Sequence, residues 1–91
     1  MIGDTYYEVI YRQGEKLFVR ECRVTRETPC FLWFDTRVFR INKKRISDHY
    51  GKSLEESIRI FASNRRRWAK EYPDSRERYE AAAREAEQLQ E

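Results

Sequence analysis

The apolar pattern of this chain changes period partway along, and that change limits the folds open to it. Up to residue 42, β-branched and aromatic residues dominate, in short runs broken at "RQGEK", "RETP" and "DT". Alternation between such turn signals marks half-buried strands. From Ser53 onward apolar residues recur three and four apart, the spacing of one helix face. Strands first and helices second exclude the alternating order of a parallel α/β fold. They point to an α+β domain.

Four strands are expected, over about 5–12, 17–26, 30–35 and 37–42, joined into a curved antiparallel meander of SH3-like form. Gly14 supplies the positive φ that a tight hairpin wants. Pro29 closes the second strand, because it cannot donate to a ladder. Side chains alternate across a strand, so register decides what shares a face. Pairing Arg12 with Leu17, Arg26 with Cys30 and Phe34 with Arg37 gives one coherent face. It collects Tyr7, Val9, Tyr11, Phe18, Cys22, Val24, Cys30, Leu32, Phe34, Phe39 and Ile41, the expected core, with Arg20 as its odd member. The reverse face holds Tyr6, Ile10, Leu17, Val19, Phe31, Trp33 and Val38 among Glu8, Glu21, Arg23 and Arg40. That face is too apolar for plain solvent, so a cover or a function is expected for it.

Residues 43–52, "KKRISDHYGK", read as a basic loop. Ser53 and Glu56 form a capping box that opens a helix over 53–72. Pro73 disfavours helical geometry at Tyr72. Asp74 and Glu77 repeat the pattern and begin a second helix over 74–90. At about 100° per residue, Leu54, Ile58, Phe61, Ala62, Trp68, Ala69 and Tyr72 share the docking face, with Arg65 near its middle. Arg65 is expected to lay its stem along apolar surface or to pair with a carboxylate such as Glu8 or Glu21, because an isolated buried charge is costly. The second helix gathers Ser75, Tyr79, Ala82, Ala83 and Ala86 on one face. An intramolecular helical hairpin is expected there, with a homodimer through this helix as the alternative. Residues 1–91 form a single domain on this reading, since a chain of 91 residues buries one modest core.

Net charge is +3, unevenly spread. Residues 1–36 carry five basic and six acidic side chains, residues 37–70 eleven and three, and residues 71–91 three and seven. So basic a middle segment suits a polyanion or an acidic protein surface, unless the acidic tail folds back on it. The candidate partner-binding residues are Arg40, Lys43, Lys44, Arg45, Arg59, Arg66, Arg67 and Lys70. Arginine serves this role because its planar fork binds oxygen pairs bidentately. Phe31 and Trp33 are candidate aromatic contacts. Rings beside cations hold single-stranded nucleic acid by stacking and phosphate contact.

Reactive chemistry is sparse. There is one histidine, His49, with two cysteines and three glycines. Zinc-ligand spacing, a phosphate-cradling glycine loop and an apolar carboxylate pair are all missing from the sequence. "SDH" at 47–49 is adjacency in sequence and not a triad in space. No catalytic site, metal site or cofactor is therefore expected, and no enzyme. Cys22 and Cys30, several rungs apart on one face, are expected as reduced, buried thiols. No run approaches the roughly 20 apolar residues of a membrane span, so no membrane partner is expected. "MIGDTYYEV" lacks a basic start and an apolar h-region, and Ile2 after Met1 argues against myristoylation. The expected address is the cytoplasm.

"IGDTYYEVIYRQGEKLFVRECRVTRETPCFLWF" followed by "KSLEESIRIFASNRRRWAKEY" resembles small accessory proteins of phages and prophages. Those proteins open with a "G-D-x-x-Y" phrase, continue through an SH3-like β-unit and end in a helix announced by "S/T-x-E-E". The likeness is one of layout, covers most of residues 2–72 and transfers no catalytic signature. It implies a product that occupies a host protein or nucleoprotein complex acting on nucleic acid, as anti-CRISPR and other anti-defence proteins do. The chain departs from many of these in being basic, which argues against mimicry of DNA. Direct binding of nucleic acid by residues 37–70 and a structural homo-oligomer are the alternative functions.

Overall fold

The computed structural model describes residues 2–12 and 14–89. Gln13 of the expected "RQGEK" turn and Gln90 at the expected end of the second helix lie outside them. Four antiparallel strands in the order β1-β2-β3-β4 curl into a half-barrel, and two helices follow, the α+β layout anticipated from the alternation. β1 spans Thr5–Ile10, β2 Phe18–Glu27, β3 Phe31–Phe34 and β4 Ile41–Asn42.

The registers differ from those expected, and the differences have physical causes. Tyr6 faces Cys22 and Ile10 faces Phe18, one residue away from the anticipated pairing. Such a slip turns every β1 side chain to the other face. Arg20 explains it. In the observed register Glu8 lies directly opposite Arg20, and the guanidinium donates to the carboxylate at 2.9 Å. The anticipated register would have set Val9 opposite an uncompensated charge. The same slip brings Tyr6 inside, edge-on to Phe34 at 5.5 Å.

Between β2 and β3 a bulge between Val24 and Arg26 shifts the ladder, so Val24 faces Phe34 rather than Leu32. Thr28 closes the turn: its amide donates to the Phe31 carbonyl at 2.8 Å, and its hydroxyl accepts from the Phe31 amide at 3.1 Å. Cys30 sits in this turn and is exposed, contrary to the buried thiol expected; Cys22 is fully buried, and both are free. β4 is shorter than expected, with Leu32 facing Ile41 across a loop of residues 35–40. Asp35 anchors that loop to β2, its amide donating to the Arg23 carbonyl and its carboxylate accepting from the Arg23 amide, both at 2.9 Å. The loop tip takes Phe39 out of the expected core and leaves it 75% exposed, beside Val38 at 86%.

Two apolar clusters result instead of one core face. Inside the curl lie Tyr6, Cys22, Val24, Leu32, Phe34 and Ile41, sealed by Ile46 and Tyr50 from the chain after β4. Residues 43–48, expected as an irregular loop, wind into a 3-10 helix that the Asn42 side chain caps. On the outer face, Val9, Leu17 and Val19 pack against the helices. Tyr11 and Phe18, also expected inside, are exposed at the end of that hairpin.

After the 3-10 turn the chain returns to the free edge of β1. Gly51 and Tyr7 exchange two backbone hydrogen bonds, at 2.7 and 2.9 Å. A Cβ on Gly51 would fall 2.5 Å from the Ser57 amide nitrogen, so only glycine lets the first helix start this close. That helix, α1, spans Leu54–Glu71. The Ser53 hydroxyl caps it by accepting from the Glu56 amide at 3.0 Å, and it stops one residue before Tyr72, as Pro73 dictates. The expected Asp74 cap does not form. Residues Pro73–Ser75 make a 3-10 turn, and α2, Arg76–Gln88, begins after it without a side-chain cap. A cap must sit outside helical geometry, and Pro73 at the turn's first position leaves Asp74 already inside it. Ile58 and Phe61 of α1 pack with Ala82 and Ala86 of α2, which makes the helical hairpin anticipated from the alanines. Leu54 and Tyr72, at the two ends of the expected docking face, are exposed.

The inner cluster makes stability fall in alkali. Burial pushes the Cys22 thiol up, against a hydrogen bond from the Thr36 hydroxyl at 3.3 Å. Burial likewise pushes the Tyr50 phenol up, against its bond from the Arg37 guanidinium at 3.1 Å. The unfolded chain gives up these protons first, so their contribution is intact at neutral pH and is lost as pH climbs past about 9. Urea midpoints are expected to stay level from neutral to mildly alkaline pH and then to drop. Cys22→Val removes the earlier part of the drop; an unchanged profile in that variant would clear the thiol of any part in it.

Candidate functional site

Leu32 and Phe34 point into the curl, so Phe31 and Trp33 point outward. The helices occupy the outer face over β1 and the start of β2. Over β3 the cover is a pair of arginines. The Arg26 guanidinium lies 4.7 Å from the Trp33 ring centroid, and that of Arg40 lies 4.1 Å from Phe31. Arg26 reaches Trp33 because the bulge sets the two directly opposite. Neither arginine has a carboxylate partner among the described residues. A guanidinium held over a ring keeps N–H groups available for an incoming oxygen pair. Val38 and Phe39, between Arg37 and Arg40 in the 35–40 loop, are exposed. Arg26, Val38 and Phe39 were not among the sequence candidates. Arg26 was hidden by the bulge, and Phe39 by an alternation that placed it in the core.

The remaining candidates fall on two other supports. In the 3-10 turn, Lys43 is tied to Glu27, whose carboxyl is held below its ordinary range by that hydrogen bond. Lys44 and Arg45 are exposed. On α1, Arg59, Arg66, Arg67 and Lys70 line one shallow groove together with Glu87 of α2. Arg66 makes a two-pronged pair with Glu87, at 2.8 and 2.5 Å. This bond holds the Glu87 carboxyl down and the Arg66 guanidinium up. The acidic tail therefore does fold back at this point. Arg67 donates to the Asn64 side chain at 3.4 Å, while Arg59 and Lys70 are exposed with no carboxylate partner among the described residues.

Arg65 takes neither carboxylate suggested for it. Glu8 is engaged by Arg20. The Arg65 guanidinium instead lies among rings, 4.3 Å from Phe61, 4.4 Å from Trp68 and 5.8 Å from Tyr11. Burial lowers its pKa, with Tyr79 and Tyr11 opposing.

Among the described residues no group of three or more His, Cys, Asp or Glu side chains is placed to hold a metal ion. Among the described residues no helix is long and apolar enough to cross a membrane. The chain matches no family model, no curated protein and no solved structure.

Proposed function

We propose that this is a non-catalytic binding protein that docks its β3 face and the 35–40 loop onto the acidic surface of a protein partner. The observations that carry the reading are the exposed apolar tip, Val38 and Phe39, next in sequence to Arg40, and the two arginine-covered rings of β3. Exposed apolar residues set among aromatic and arginine side chains have the composition of an interface hot spot. Bare nucleic acid has no use for Val38. The resemblance to phage accessory proteins supplies the class of partner: a bacterial host complex acting on nucleic acid, whose activity this protein blocks by occupying it. Such a target lies in the host cytoplasm, where the exposed thiol of Cys30 stays reduced.

Phe39 and Arg40 are exposed, so Phe39→Ala with Arg40→Glu should fold normally. The wild type should retain a host complex from lysate, and the double variant should lose it, each hot-spot side chain contributing about 2 kcal/mol. Retention of the same complex by both proteins at equal strength would remove this reading.

A second reading, direct binding of nucleic acid, draws on Arg59, Arg67 and Lys70 in the α1 groove. Phosphate contacts weaken steeply with salt, and Arg59→Glu with Arg67→Glu, both at exposed positions, should abolish them at unchanged thermal midpoint. Absence of binding to single-stranded or duplex DNA or RNA at low salt disposes of it. A dimer through the second helix has less to recommend it, since Ala82 and Ala86 are already packed on α1 within the chain.

A further inference from the structure

Arg65 is half-buried, and no described side chain forms an ion pair or hydrogen bond with its guanidinium. It stands where two hollows meet, both lined by Tyr11, Arg65 and Trp68. The one toward β1, about 270 Å³, is also lined by Glu8 and His49. The one toward α2, about 230 Å³, adds Arg78, Tyr79 and Ala82 and has no acidic lining. Its walls are flat: Trp68 and Tyr79 meet edge to face at 5.7 Å, and Arg78 lies 5.5 Å from the Tyr79 ring.

We infer that this second hollow binds a nucleoside monophosphate unit, its base against Trp68, Tyr11 and Tyr79 and its phosphate between Arg65 and Arg78. Two observations set the ligand class. Two guanidiniums in a hollow whose lining holds no acidic side chain match the charge of about −1.5 to −2 on a phosphate monoester, where a carboxylate would satisfy only one. Three aromatic rings around the hollow suit a single planar base. The site shares no residue with the β3 docking face, so either assignment stands or falls without the other.

The chain has two tryptophans, Trp33 and Trp68. In a Trp33→Phe background the emission of Trp68 alone reports on the hollow. Titration with adenosine 5′-monophosphate should quench it saturably. Adenosine and inorganic phosphate should each bind more weakly, since each offers half of the recognition. Arg78→Gln, at an exposed position, and Arg65→Lys, which keeps the charge and loses the fork, should each weaken binding about tenfold, the loss of one charge-assisted hydrogen bond. A tighter response to a 5′-phosphorylated dinucleotide than to the free monophosphate assigns the unit to a strand end; equal affinity assigns it to the free nucleotide. The inference is overturned by no saturable quenching, by affinity unchanged in both arginine variants, or by inorganic phosphate binding as well as the nucleotide.

Discussion

Gly51→Ala is expected to cost about 3 kcal/mol, the upper end of what overpacking does, although it adds a single methyl group. The methyl would stand 2.5 Å from the Ser57 amide nitrogen, 2.8 Å from the Glu56 carbonyl carbon and 2.9 Å from the Ser57 Cα. These are backbone atoms in the first turn of α1, and they cannot swing aside as a side-chain end would. Relief must come from moving α1 or from moving Gly51. The first loosens Ile58 and Phe61 from the outer cluster, and the second breaks the paired hydrogen bonds to Tyr7. Urea denaturation measures the loss. A midpoint equal to that of the wild type would mean that α1 is free to shift without consequence, and that its docking is loose.

Phe34→Ala should be the more damaging, at about 3–5 kcal/mol. Phe34 is 1% exposed and stands between two other rings, with Tyr6 edge-on at 5.5 Å and Tyr50 tilted at 4.8 Å. Removing it leaves a cavity at the centre of the curl that strands pinned on both sides cannot collapse to fill. Domains of this size are stable by about 5–15 kcal/mol in all, so the variant should be close to unfolding. Phe34→Leu keeps most of the volume and should cost less than about half as much. Near-ultraviolet dichroism would follow the packing of the tyrosines, and urea unfolding the energy. If the alanine variant cost under about 1 kcal/mol, the curl would not be the main core and the helical layer would have to hold the fold.

What the sequence made legible was what local chemistry decides. Cys22, Val24, Leu32, Phe34 and Ile41 were readable as core because alternation within a strand needs no partner. The Ser53 cap and the stop before Pro73 were readable because each acts within a few residues. The faces of β1 were not, since they depend on pairing with β2, and a one-residue error inverts them all. The clue lay in Arg20, the misfit on the expected core face, which has Glu8 opposite it on the neighbouring strand. Gly51 gave no sign of its role, because the constraint on it is the position of a helix that begins three residues later and folds back across it. The same division holds at the candidate sites. The outward direction of Phe31 and Trp33 follows from alternation, but the meeting of Arg26 with Trp33 requires a bulge. The charge count could suggest that the tail returns to α1, but not that Glu87 would take Arg66 and leave Arg59 and Lys70.

The short β4 and the Gly51 contact also bear on how this molecule meets others. Capture of an extended peptide as an extra strand, or runaway pairing between copies, needs a row of unpaired backbone along a sheet border. One border here is two residues long before it winds away, and the other is blocked at its midpoint by Gly51. A visitor finds no long uninterrupted ladder to extend, so selectivity falls to side-chain shape and charge, and crowded copies meet only short stretches of backbone template.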